Sequence, residues 1–248
     1  MSTDDYMEWV DTHRDDLNLT LPVSEVFGPT IQGEGPHAGR ACYFIRLGGC
    51  NLSCTWCDTP YSTGQHGIPL STIPRPTIHD ITARIPRNTI VVLTGGEPTM
   101  HLGRPAFTAL LHLLKAKGCQ VHIETNGMTI PGDEHAHLID HITVSPKLNV
   151  PMVNPRHTPT LPNWAGWEGQ KCIKRVWDDG DPDTFVQDTI TLAEDHGFHH
   201  TDIWVMPEGT TTTQLAPRWA PLAQAAANHN INATHRLHTL AWEDKKGH

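Results

Sequence analysis

Six short apolar runs punctuate the chain, each closing on glycine or a small polar group: ACYFIRLGG (41–49), TIVVLTGGEP (89–98), QVHIETNG (120–127), HITVSPK (141–147), CIKRVWDDG (172–180) and DIWVMPEG (202–209). Their β-branched and aromatic content reads as strands. Helical patterns lie between several of them. RPAFTALLHLLKAKG (104–118) puts Phe107, Leu110, Leu111 and Leu114 on one face, and Gly118 stops it. TFVQDTITLAEDHG (184–197) repeats the plan with Phe185, Ile190 and Leu192. TTQLAPRWAPLAQAAANHN (212–230) is a third helix, which Pro217 and Pro221 are expected to kink or delay. THRLHTLAW (234–242) reads as a last strand, and 60–77 and the proline-rich 150–163 as loops. Strands alternating with helices predict a parallel α/β sheet, here an open, partial β/α barrel of about six parallel strands. Residues 1–22 read as a polar extension with one short helix at 4–17, 23–242 as a single domain, and 243–248 as a frayed tail.

Composition excludes several classes. A chain of 248 residues can bury a full core. No apolar run is long enough to span a bilayer, and the acidic N-terminus lacks a signal-peptide pattern, so a cytoplasmic location is expected. The formal charge of -9 argues against a nucleic-acid-coating surface and for a small-molecule partner. Six cysteines are too few for a disulfide scaffold. Cys42, Cys119 and Cys172 read as small buried apolar groups. His135, His137, His141, His199 and His200 read as solvated or capping, because no acid or third ligand accompanies them at metal-binding spacing.

The remaining cysteines crowd into GCNLSCTWCDT (49–59) as Cys50, Cys54 and Cys57. Thiolates hold iron–sulfur clusters or zinc. Structural zinc takes four protein ligands, and no second CxxC exists to complete such a set. Three ligands in one loop suit a four-iron cluster with one iron left open. Gly48, Gly49, Asn51 and Ser53 let the loop turn and offer amide donors to sulfur. Polar groups also follow the second, third and fourth runs: Thr94-Gly-Gly-Glu-Pro, Glu124-Thr-Asn-Gly and Ser145-Pro-Lys. In a β/α barrel, active sites gather at that face.

CxxxCxxC with Trp56 before its last cysteine, joined to Gly-Gly-Glu-Pro at 95–98, resembles the radical S-adenosylmethionine superfamily and its core fold. The run from Ser24 to Tyr61 is similar to one family within it, the 7-carboxy-7-deazaguanine synthases. Ile31-Gln32-Gly33-Glu34-Gly35, Gly39-Arg40, Phe44-Ile45-Arg46-Leu47 and Cys57-Asp58-Thr59 carry the match. So do the segments 94–98, 124–127 and 145–147, with weaker agreement at 207–209 and 236–238.

That resemblance implies a carbon–nitrogen lyase of queuosine-type biosynthesis. It would convert 6-carboxy-5,6,7,8-tetrahydropterin to 7-carboxy-7-deazaguanine and ammonia through a 5'-deoxyadenosyl radical. S-adenosylmethionine would be re-formed in each turnover. Cys50, Cys54 and Cys57 would hold a [4Fe–4S] cluster. Trp56, Cys57, Asp58, Gly96, Glu97, Ser145, Pro146 and Lys147 would hold S-adenosylmethionine, and Thr59 would bind Mg²⁺. Ile31, Gln32, Gly33, Arg46, Thr94, Glu124 and His238 would contact the pterin, Arg46 through its carboxylate. Met206 stands where many relatives carry glutamine. An external, flavodoxin-like one-electron reductant and a homodimer are implied as well. Two alternatives stay open at this point. One is an activase that makes a glycyl radical on a partner protein, against which Arg46 and Thr59 argue. The other is a zinc or iron–sulfur module without catalysis, which metal content would distinguish.

Overall fold

Strand β3 (Ile90–Gly95) is buried from Ile90 through Thr94, as a strand covered on both faces must be. It lies inside a single eight-stranded sheet whose spatial order is the chain order, β1 to β8. This computed structural model describes residue 12, residues 14–243, and residues 245 and 247. The other strands are β1 (Val23–Ile31), β2 (Ala41–Leu47), β4 (Gln120–Thr125), β5 (His141–Val144), β6 (Lys171–Trp177), β7 (Ile203–Pro207) and β8 (Asn232–Ala233). β1 runs antiparallel to β2, and every later neighbour pair is parallel. The sheet is the open, partial β/α barrel that the alternation of elements predicts.

The α-helices are α1 (Pro60–Thr63), α2 (Ile78–Ala83), α3 (Pro105–Ala116), α4 (Asp133–Ala136), α5 (Pro182–Asp195), α6 (Thr212–Asn228) and α7 (Leu237–Trp242). Local chemistry sets their ends. Pro105 opens α3, and Gly118, at φ +74, follows its end. Thr77 with Asp80, and Thr211 with Gln214, form reciprocal caps on α2 and α6. One face of the sheet presents Ile45, Leu47, Val91, Leu93, Val121, Ile123, Ile142, Val144 and Ile173 to the helices. There they share one core with Phe107, Leu110, Leu111 and Leu114.

Alternation puts the intervening residues inside the barrel. Cys42, Ile90 and Val92 cluster there with Phe44. Toward the C-terminal ends of the strands the inward positions turn polar: Arg46, Thr94, Glu124 and Lys174.

Several elements differ from the sequence-based expectation. β1 was not foreseen. Two register shifts against β2 interrupt its period, and Pro29 within it is tolerated because β1 is an edge strand. The expected strand at 234–242 is instead helix α7, and β8 occupies Asn232–Ala233 just before it. α6 runs on through Pro217 and Pro221; both prolines are exposed, so the carbonyls they leave unpaired can be hydrated. α5 buries Val186, Thr189 and Ala193 fully, and Phe185, Ile190 and Leu192 only in part. The stretch 60–77 contains α1 and a 3-10 turn at Leu70–Thr72. Most of the helix expected at 4–17 lies outside the described residues, which hold a 3-10 turn at Asp16–Asn18; so do residues 244, 246 and 248 of the tail. Cys42, Cys119 and Cys172 are buried as expected.

Two of the histidines read as solvated or capping are instead buried. His135 bonds Thr108 Oγ1 at 2.9 Å. His141 joins His122 and His37 inside the barrel, with ring centroids 4.2, 4.6 and 5.6 Å apart. Burial, reinforced by repulsion from the neighbouring rings, pushes His122 down to about 4 and His141 to about 3. Burial and Arg40 also lower His37. Around His122, Asp140 favours protonation while Arg40 and Lys115 oppose it. Below the ordinary histidine value of 6.5 the unfolded chain takes up protons that the folded one refuses, so stability falls with pH. The melting temperature is expected to be flat between about pH 6.5 and 8 and to drop between pH 6.5 and 4. His122→Gln and His141→Gln should each flatten that slope; an unchanged slope in both variants would reject the assignment.

Candidate active site

The three-cysteine loop begins where β2 ends. Gly49 turns the chain at φ +99, and its N–H donates to Ser62 O at 2.7 Å while Cys50 N–H donates to Thr63 O at 2.9 Å. α1 therefore anchors the start of the loop. A second segment straps its middle. Thr55 N–H donates to Pro151 O (2.9 Å) and Val153 N–H to Ser53 O (2.7 Å), with Cys54 paired to Met152. Ser53 Oγ accepts from Asn154 N–H at 2.9 Å and lies 3.0 Å from His157 Nδ1.

All three thiols are free, Cys54 buried and Cys50 and Cys57 half-buried. Burial raises each of them, Cys50 to about 12, so metal loading must release protons. Leu52 N–H points at Cys50 Sγ (3.4 Å), the amide-to-sulfur contact that stabilises a cluster thiolate. Among the described residues no three His, Cys, Asp or Glu side chains are grouped to hold a single ion. Free thiols with amide support on one loop fit a multi-iron cluster.

The second wall comes from the end of β3. Gly96 N–H donates to Leu47 O (2.9 Å) and Glu97 N–H to Gly49 O (2.7 Å). A Cβ at position 96 would lie 1.9 Å from Gly49 O, so only glycine fits. Glu97 is 1% exposed. Its carboxylate accepts from Thr99 N–H (2.9 Å), Thr99 Oγ1 (2.8 Å), Thr125 Oγ1 (2.7 Å) and Asn126 N–H (2.7 Å). Burial pushes its pKa up against those four bonds. The Glu97 side chain thus pins the ends of β3 and β4 together. Asn126 Nδ2 donates to Asn51 Oδ1 (2.7 Å), tying the cysteine loop to β4. After β5, Lys147 Nζ donates to Ser145 O and Oγ (2.8 and 2.6 Å). Burial, then Lys174, lowers Lys147, with Cys54, Asp58 and Glu34 acting the other way.

Deeper inside the barrel, Gln32 Nε2 and Thr94 Oγ1 each donate to one oxygen of Glu124, at 3.0 and 3.1 Å. Gly33 lies under His238 so closely that a Cβ there would fall 1.8 Å from Nδ1, and Leu237 N–H donates to Gly33 O at 2.9 Å. Burial lowers His238 despite nearby Glu34. Ile31, at the end of β1, leads into this turn. Arg46 Nε donates to Glu25 Oε2 (3.1 Å), which also accepts from Tyr61 (2.9 Å); the guanidinium lies 5.9 Å from the Phe27 ring centre. Thr59 precedes α1, its Oγ1 3.9 Å from Cys57 Sγ. Met206 is buried on β7. A cavity of about 360 Å³ joins Trp56, Pro146 and Lys147 to Arg175, Asp178 and Phe185 beyond β6. Gln32, Glu124 and His238 do not line it.

Sequence reasoning missed the charged group closing the chamber. Glu34 pairs with Lys174 and accepts from Arg236 Nε at 2.9 Å. Burial alone would raise Glu34, but Lys174, Arg236 and His238 hold it well below the usual carboxylate range. A lysine amid the strand-like IKRVW was the available signal, since a buried ammonium demands a partner.

This arrangement of thiol loop, glycine-tight β3 end and open parallel barrel defines a class. The family model of the radical SAM superfamily matches residues 44–215, and the chain belongs to that superfamily. Two relatives narrow it. The 7-carboxy-7-deazaguanine synthase of Hyperthermus butylicus is 32% identical over 90% of this chain and 94% of its own. The one from Halobacterium salinarum is 33% identical over 90% and 91%. The crystal structure of QueE from Escherichia coli superposes with a TM-score of 0.63 at 25% identity, covering 96% of this chain and 100% of that one. The chain belongs to the 7-carboxy-7-deazaguanine synthase family.

The contact between Gly96 and Gly49 supplies a test. Gly96→Ala should push the cysteine loop off the β3 end, a cost of about 1–3 kcal/mol by analogy with overpacking. Iron retained after anaerobic reconstitution should fall from about four per chain in the parent. Undiminished iron in the variant would show that this contact does not position the thiols.

Proposed function

We propose that this chain converts 6-carboxy-5,6,7,8-tetrahydropterin to 7-carboxy-7-deazaguanine with loss of ammonia, using a [4Fe–4S] cluster, S-adenosylmethionine and Mg²⁺. One observation carries the proposal: a loop of three free thiols and a buried polar set, Gln32–Glu124–Thr94, belong to one barrel. When bound, the cluster supplies an electron and S-adenosylmethionine the carbon radical that removes a hydrogen atom from substrate.

The chain's own groups bind and orient. Cys50, Cys54 and Cys57 would hold the cluster as thiolates. Gly96, seated against Gly49, would present backbone to the methionine end of S-adenosylmethionine, and Ser145, Lys147 and the backbone about Trp56 and Asp58 complete that site. Gln32 and Thr94 fix the Glu124 carboxylate, which can accept from the N–H edge of a pterin ring. His238, packed against Gly33, would close one side of the substrate site. Glu25 occupies only Nε of Arg46, so the two Nη groups remain for the substrate carboxylate. Thr59 would give Mg²⁺ one hydroxyl, with water and substrate oxygens as its other ligands. An external flavodoxin-like reductant and a homodimer belong to the same proposal on family resemblance. A cytoplasmic location agrees with the absence, among the described residues, of any helix long and apolar enough to cross a membrane.

Anaerobic incubation with the carboxy-tetrahydropterin, dithionite, Mg²⁺ and S-adenosylmethionine should yield the deazapurine acid by mass spectrometry. Unchanged pterin beside an intact cluster would overturn the substrate assignment. Thr59→Ala is expected to keep the cluster absorbance and lose most of the stimulation by Mg²⁺. Equal stimulation in variant and parent would remove Thr59 from the metal site.

A further inference from the structure

Arg236 touches three separate parts of the site with one side chain. Nε donates to Glu34 Oε1 at 2.9 Å, Nη2 to Asp58 Oδ2 at 3.0 Å and Nη1 to Gly209 O at 2.7 Å. Glu34 directly follows Gly33, in the turn proposed to face the pterin. Asp58 directly follows Cys57, in the loop proposed to carry the cluster and S-adenosylmethionine. Gly209 ends the β7 strand connection. Among the described residues no backbone hydrogen bond joins residues 31–35 to residues 50–59. The guanidinium is mostly enclosed, its side chain 13% exposed, and Glu34 is 12% exposed, whereas Asp58 is 52% exposed. The inner arm is therefore shielded and the outer arm reaches toward solvent.

The segment around Arg236 is itself fixed. Thr234 Oγ1 accepts from Gly35 N–H at 3.0 Å, and Leu237 N–H donates to Gly33 O at 2.9 Å. Lys174 holds Glu34 from the opposite side. Glu34 is thus set between two cations, and among the described residues only Arg236 passes the restraint on to Asp58. A planar guanidinium can satisfy three acceptors in fixed directions, which a single ammonium on a flexible stem cannot.

We propose that Arg236 is a positioning residue that fixes the pterin turn relative to the S-adenosylmethionine loop, so that the radical carbon is delivered to the substrate hydrogen rather than to another donor. The proposal rests on the function put forward above for its substrate, but its geometry does not. Misplacing reacting atoms by about 1 Å costs on the order of a hundredfold in rate, so a loose clasp should waste radicals more than it weakens binding.

The test uses the full chain, anaerobically reconstituted, as parent, Arg236→Lys and Asp58→Ala. Asp58→Ala removes the acceptor of the outer arm, so it carries the test if the arginine variant does not fold. Hydrogen exchange followed by mass spectrometry is expected to quicken in both 31–35 and 57–59 in Arg236→Lys, with strands β3 and β4 unchanged. Faster exchange confined to 234–238 would overturn the clasp. With iron content equal to the parent's, 5'-deoxyadenosine released per deazapurine formed should rise roughly tenfold or more in either variant. The double variant should be no worse than Arg236→Lys alone, because the Asp58 contact is already lost in that variant. A slower enzyme with the parental ratio would overturn the positioning role. If the parent itself leaves the pterin unchanged, the proposed function falls while the exchange result still decides whether the two loops are clasped.

Discussion

Everything at the C-terminal end of this barrel is built on two backbones meeting without side chains between them. Glu97 N–H reaches Gly49 O at 2.7 Å, and Gly96 has no room for even one carbon. That contact sets where the cysteine loop can lie. Glu97 then extends the constraint to β4 through Thr125 and Asn126, and Asn126 returns it to the loop through Asn51. A closed circuit of short hydrogen bonds joins β2, β3 and β4 at their ends, and the thiols hang from it. Its rigidity comes from buried polar groups that are satisfied by one another, which is where such bonds resist disruption best.

The barrel interior is graded along its axis. One end is filled by Cys42, Ile90 and Val92 with the uncharged histidines His122 and His141. The other end carries Glu34, paired with Lys174 and Arg236, and Glu124, held by Gln32 and Thr94. Such grading keeps ionised groups near the mouth, where ligand enters, and leaves the closed end dry. It also explains why histidines occur inside at all: they fill the space of aromatic residues and remain neutral at ordinary pH.

Legibility from sequence followed locality. The six central strands and α3 announced themselves because burial on two faces, or on one helical stripe, imposes a period. The cysteines, Gly96 and Lys147 lie in short contiguous motifs, so they could be named before any fold was known. β1 escaped because its register shifts break the alternation that marks a strand. The last strand was misplaced because HRLHTLAW carries enough apolar residues for either period, and contact with Gly33 decides for a helix. Glu34 was quoted within its motif but given no role, since its partners Lys174 and Arg236 lie 140 and 202 residues away. His135 and His141 look like surface residues in DEHAHLIDH, and only the packing against Thr108 and Cys172 shows otherwise.

The chain-ordered sheet has a consequence for how the protein is made. Each parallel strand pairs with the next one synthesised, so most of the barrel can assemble while translation proceeds. The turn at 31–35 is the exception: it waits for Thr234, Arg236 and Leu237, supplied some two hundred residues later. A nascent chain would therefore possess its thiol loop long before the turn beside it is fastened.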